Sequence, residues 1–78
     1  MIKKDKLYKE NLRIVGNNIR EIRQSKHLSQ TQLADSTGYS KGGISQFESG
    51  IRELGLGVLI EISKKLDIPV EELLKGVK

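Results

Sequence analysis

Few side chains in this sequence could do covalent or metal chemistry. There is one histidine, His27, and no cysteine. A lone imidazole with no thiolate and no neighbouring ligand holds no metal, and without a partner it activates no nucleophile. The glycine pair Gly42-Gly43 lacks the spacing of a nucleotide-binding loop. The chain therefore reads as a non-enzyme that uses no cofactor. What remains is recognition by hydrogen bonds and charge. Lys41, Gly42, Ser45 and Gln46 stand at i, i+1, i+4 and i+5, so a helix would gather them on the face opposite Ile44 and Phe47. Those side chains supply donors and acceptors but no reactive group.

The elements that would position this face lie in the stretch Gln30–Gly50. Ser29 and Gln32 form a capping box that starts a helix at Gln30 and carries it to about Thr37. Ala34, four places on, is small enough to admit a second helix. Gly38, eight places on, stands where a left-handed turn is needed. Ser40 caps the next helix, Lys41 to about Ser49, which ends at Gly50. Ile44, fourteen places on, is a branched plug for the angle between the two helices, and Leu33 and Phe47 complete the wedge. This joint spacing is the pattern of a helix-turn-helix, whose second helix enters the DNA major groove.

The rest of the chain reads as further helix. Tyr8, Leu12, Val15, Ile19 and Ile22 follow at steps of 4, 3, 4 and 3, one face of a first helix. Asp5 or Asn11 would cap its start. Gly16 interrupts it and marks close packing. The helix should end near Lys26, with His27 in the left-handed position just past it. A fourth helix starts near Leu56, with Leu59, Ile62, Ser63 and Leu66 toward the core. Pro69 starts a short fifth helix, with Glu71 and Glu72 in its first turn and Leu73 pointing inward. The expected fold is all-α: a compact five-helix domain over residues 6–76, with helices 2 and 3 as the helix-turn-helix (core 30–50).

Composition sets bounds on this reading. The chain has 78 residues, 31% charged and 36% apolar, which suits one small globular domain. At this size only about 60% of the unfolded surface is buried on folding, so dimerisation would help. The sequence has neither a membrane span nor a signal peptide, which implies a cytoplasmic location. Net charge is +4, from 14 Lys+Arg against 10 Asp+Glu, which favours nucleic acid mildly. Lys3, Lys4, Lys6 and Lys9 crowd the start. Residues 1–5 read as a flexible basic tail, either solvated or acting as an arm toward phosphate or a minor groove.

From about Leu12 to Leu74 the sequence resembles the phage-repressor-like (Cro/CI, XRE-type) helix-turn-helix domain. The matching words are Ile19-Arg20-Glu21-Ile22-Arg23, Leu28-Ser29-Gln30-Thr31-Gln32-Leu33-Ala34, Gly38-Tyr39-Ser40, Ile44-Ser45-Gln46-Phe47-Glu48-Ser49-Gly50 and Leu59 through Ile68. The resemblance implies a lambda-repressor-like fold and a sequence-specific transcriptional regulator, a repressor or operon controller. Its partner would be a palindromic double-stranded DNA operator, bound as a homodimer. Residue by residue, it implies that Gln30 and Ser40 meet phosphates at helix starts. Lys41, Gly42, Ser45 and Gln46 would face base edges, with Gln46 suited to adenine and Lys41 to guanine or phosphate. Ser49 and Arg52 would grip the next phosphates. It also implies an ion pair between Arg23 and Glu48, against the alternative of two independent surface charges.

Two departures from the family pattern stand out. Gly42-Gly43 weakens the start of the third helix by up to roughly 2 kcal/mol of propensity and removes one base-reading side chain. Either the bare backbone lets the helix sit deeper or order on DNA, or specificity has shifted to Lys41, Ser45 and Gln46. Leu54-Gly55-Leu56-Gly57 replaces the usual Pro and hydroxyl cap, leaving Gly55 as a weak cap and Leu54 open to solvent. Val70, Leu74 and Val77, at steps of 4 and 3, form a candidate dimer face or ordinary core. A regulatory protein partner would also fit so small a domain. A protein–protein adaptor or antitoxin-like partner that uses the same fold with weak or no DNA readout is the alternative function.

Overall fold

A computed structural model describes residues 6–78. The basic tail expected at residues 1–5, with the cap at Asp5, lies outside the described residues. Four helices follow in order: α1 (Lys6–Ser25), α2 (Gln30–Thr37), α3 (Lys41–Ser49) and α4 (Leu56–Leu66). A 3-10 segment, Val70–Leu74, follows α4. No strand occurs among the described residues.

The expected fifth helix is therefore a correction: the domain has four α-helices and one 3-10 turn. Five residues are too few to repay the nucleation of an α-helix. The segment is bounded before by Pro69, whose backbone is extended, and after by Gly76 at φ 85°. It is held instead by tertiary contacts. Leu73 is fully buried, and the Asn18 amide donates to the carbonyls of Leu73 (2.9 Å) and Lys75 (2.8 Å). Asn11 is likewise not a cap. It lies inside α1, where its amide donates to the Lys78 carbonyl at 3.3 Å and its oxygen accepts from the Lys78 N–H at 3.0 Å.

The 4-3-4-3 stripe of α1 faces inward as its period requires. Val15 and Ile19 are buried, and Ile22 packs beside them. They join Leu33, Ala34, Ile44, Phe47, Ile62, Leu66 and Leu73 in one core. Leu59 packs against this core without being fully buried, and so does Leu54, which is half-covered rather than open to solvent. His27, at φ 59°, adopts the left-handed conformation past α1. Two hydrogen bonds close the turn there: His27 N–H to the Gln24 carbonyl (2.9 Å) and Leu28 N–H to the Arg23 carbonyl (3.1 Å). At the start of α1, burial first, and then the hydrogen bond to Glu53 and its negative charge, raise the Tyr8 phenol above its ordinary pKa.

Both reciprocal bonds of the capping box on α2 form. The Gln32 N–H donates to Ser29 Oγ at 3.0 Å, and the Ser29 N–H donates to Gln32 Oε1 at 2.8 Å. Ser29→Ala is expected to cost about 1 kcal/mol, read as a lower urea midpoint at unchanged m-value. An unchanged midpoint would show that the cap is redundant.

Candidate nucleic-acid interface

The joint between α2 and α3 is tight because its residues are small or left-handed where they must be. Gly38 ends α2 at φ 80°, with its N–H donating to the Ala34 carbonyl. Ser40 starts α3: its backbone is extended, and its Oγ accepts from the Gly43 N–H at 3.0 Å. Leu33, Ala34, Ile44 and Phe47 are all buried at this corner. That locks the orientation of α3 and turns its other side outward. Lys41, Gly42, Ser45, Gln46 and Ser49 are all exposed.

The first helix holds α3 from behind at two points. A Cβ built on Gly16 would lie 2.3 Å from the Phe47 carbonyl oxygen and 2.7 Å from that of Glu48. The two backbones thus approach as closely as only glycine allows. Nearby, Arg23 and Glu48 form a buried, bidentate ion pair. Arg23 Nε donates to Glu48 Oε2 at 2.6 Å, and Nη2 donates to Oε1 at 3.1 Å. Nη1 donates to the Leu28 carbonyl at 2.7 Å. The exposures of the two residues, 7% and 4%, place the pair inside the fold, where its full set of hydrogen bonds offsets desolvation.

Gln30 joins this network. Its Nε2 donates to Glu48 Oε1 at 3.0 Å. A primary amide has two N–H donors, so one stays free while the carboxylate anchors the other. Of the first-turn backbone N–H groups of α2, that of Gln32 is taken by Ser29 Oγ, while those of Gln30 and Thr31 lack intrahelical acceptors. Ser40 accepts from Gly43 and keeps its own O–H to donate. The Ser49 hydroxyl is turned back on its helix, donating to the Gln46 carbonyl at 3.2 Å.

Arg52 is exposed and sits on aromatic faces that the sequence reading did not assign. Its guanidinium carbon lies 4.9 Å from the Phe47 ring centre and 5.8 Å from that of Tyr39. The two rings meet edge to face at 5.4 Å. The available signal was the pairing of an aromatic next to the cap of α3 with one on its inner face. The candidate dimer residues lie elsewhere. Val70 is half-buried, while Leu74 and Val77 are 40% and 41% exposed, so the latter two are not closed core.

The sequence profile of the family described as Helix-turn-helix (HTH_3) matches residues 19–73. The chain belongs to this helix-turn-helix family. The family is one of DNA-binding domains, not of enzymes. The HTH-type transcriptional regulator YqaE of Bacillus subtilis (strain 168) is 37% identical over 59 residues, covering 76% of this chain and 51% of that protein. The HTH-type transcriptional regulator Rv0474 of Mycobacterium tuberculosis is 40% identical over 58 residues, covering 74% of this chain and 41% of that protein. The chain thus spans about half the length, or less, of these curated relatives.

Among solved structures, the restriction-modification controller protein C.AhdI from Aeromonas hydrophila superposes with a TM-score of 0.79. It is 33% identical, and the match covers 82% of this chain and 97% of that one. The biofilm regulator SinR, solved in complex with DNA, superposes with a TM-score of 0.73 at 29% identity, covering 78% of this chain and 98% of that one. No helix among the described residues is long and apolar enough to cross a membrane.

Proposed function

We propose that this helix-turn-helix domain binds double-stranded DNA sequence-specifically and regulates transcription, as a repressor or operon controller in the cytoplasm. One observation carries the reading. Ile44 and Phe47 are locked in the core while Lys41, Gly42, Ser45 and Gln46 stand exposed together on the other side of α3. A helix held in this way can enter a major groove with its polar side toward base edges. Gln46 is the base reader, suited to adenine, and Lys41 reaches guanine or phosphate. Gln30, Ser40 and Arg52 grip the backbone on either side, and Ser49 joins them when its hydroxyl turns from the Gln46 carbonyl to a phosphate. Gln30 supports this role because its amide is already held in place by Glu48.

One module of this kind buries only on the order of 600–1,000 Å2. A homodimer on a palindromic operator, with half-sites about one turn apart, supplies the rest. The exposed part of the Val70, Leu74 and Val77 set is the proposed contact. The likeness to C.AhdI, a restriction-modification controller, supports the operon-controller form.

The test is selection from random duplex DNA, read at two salt concentrations. An enriched palindrome with steeply salt-dependent affinity supports the reading, and no enrichment with no salt dependence removes it. Gln46→Ala is expected to cost about 1–3 kcal/mol of discrimination at one base position. Equal loss on every sequence would show that Gln46 reads no base.

A further inference from the structure

We propose that Gly43 is a positioning residue for Arg52. Its missing side chain lets the Arg52 guanidinium lie against the first turn of α3, ready to take a DNA phosphate. The proposal rests on the DNA-binding reading above.

Arg52 lies beyond the end of α3, yet its guanidinium returns to the beginning of that helix. A Cβ on Gly43 would stand 3.1 Å from Arg52 Nη1 and 3.4 Å from Ser40 Oγ. Gly43 is buried, whereas its neighbour Gly42 is exposed and has only Ser40 Oγ within reach, at 3.8 Å. The two glycines therefore do different things. Gly42 leaves the outer face of the helix bare, while Gly43 is the floor on which a cation rests.

Arg52 is held there by the faces of Phe47 and Tyr39, at 4.9 and 5.8 Å. Both distances lie within cation–π range. Among the described residues no carboxylate pairs with it. A cation held by rings keeps its N–H donors unspent, and the planar guanidinium presents them in a fork that suits phosphate oxygens. It also lies close to Ser40, the other group assigned to the backbone at this helix start. Guanidinium and hydroxyl are thus brought together although twelve positions separate them in the chain.

The experiment is a double-mutant cycle on DNA affinity across a salt series, using a duplex enriched from the random library. Arg52→Gln is expected to lower the slope of log affinity against log salt by about 0.9, the loss of one phosphate contact. Gly43→Leu fills the floor and should lower the slope by the same amount. The double variant should be no worse than Arg52→Gln alone, because Gly43 acts through Arg52. An undiminished slope in Arg52→Gln, or a full additional loss in the double variant, overturns the proposal.

A second measurement needs neither DNA nor the Leu variant. In the unmutated protein the Arg52 side-chain protons should be shifted upfield by the two rings. The conservative Gly43→Ala variant should weaken that shift while leaving the melting temperature unchanged or higher. Arg52 protons at unshifted positions in the unmutated protein would overturn the proposal even if its DNA binding is normal. Absence of salt-dependent binding by the unmutated protein, with the ring shifts present, would instead overturn the DNA-binding reading and the phosphate role with it.

Discussion

Glu48→Ala is expected to destabilise the domain by about 3–5 kcal/mol. The carboxylate accepts from Arg23 at 2.6 and 3.1 Å and from Gln30 at 3.0 Å. Its removal leaves the guanidinium of Arg23, a residue only 7% exposed, with the Leu28 carbonyl as its remaining acceptor. That uncompensated charge, rather than the lost attraction, dominates the effect. A domain of 78 residues has a total stability of roughly 4–12 kcal/mol, so the variant should be largely unfolded at moderate temperature. Urea denaturation followed by circular dichroism measures it. The double variant Arg23→Met/Glu48→Leu should be much less destabilised than either single change, because no charge is left buried. If Glu48→Ala costs less than 1 kcal/mol, water reaches the pair in solution and it does not hold α1 to α3.

Gly16→Ala tests the same junction with an opposite expectation from local propensity. Ala in mid-helix is worth about 1 kcal/mol over Gly, so an isolated α1 would gain. In the fold, the new methyl would fall 2.3 Å from the Phe47 carbonyl oxygen, 2.7 Å from the Glu48 oxygen and 2.9 Å from the Glu48 carbonyl carbon. All three are backbone atoms and cannot rotate away. Helix α3 must therefore move off α1, at an overpacking cost of about 1–3 kcal/mol or more. We expect a net loss of stability and a larger loss of DNA affinity, since α3 carries the proposed reading face. Thermal melts and DNA titrations of the same variant measure the two effects. A stabilised Gly16→Ala protein would show that the helices do not cross this closely.

These two predictions also show where the sequence was legible. Gly16 could be read as a close approach because a glycine in a strong apolar stripe needs a packing reason. Arg23 and Glu48 stand 25 positions apart, and only the resemblance to a known family suggested joining them. Nothing local points from Gln30 to Glu48, and the hydrogen bond from the Gln30 amide to the Glu48 carboxylate forms only when α2 and the end of α3 are folded together. The same is true of Asn11. In sequence it reads as a helix cap, but its amide is taken by the backbone of Lys78, 67 positions away. Leu54, just before the weak cap Gly55, reads as exposed, yet the core lies beneath it.

Gly42-Gly43 shows the division at its finest. By propensity the two are alike, a weakened helix start with one reading position left blank. In the structure they part: Gly42 faces solvent, and Gly43 lies under Arg52. The sequence by itself determined the helical fold, the caps at Ser29 and Ser40, the left-handed turns at His27 and Gly38, the end of α3 at Gly50, and the inward face of α3. Those depend on residues within a few positions of one another, whose backbone preferences and apolar period act locally. Only the tertiary structure decided what the outward residues touch, which glycine makes room for which cation, and that Val70–Leu74 closes as a 3-10 turn. Such contacts join distant parts of the chain, and their energies exist only once the core has brought them together.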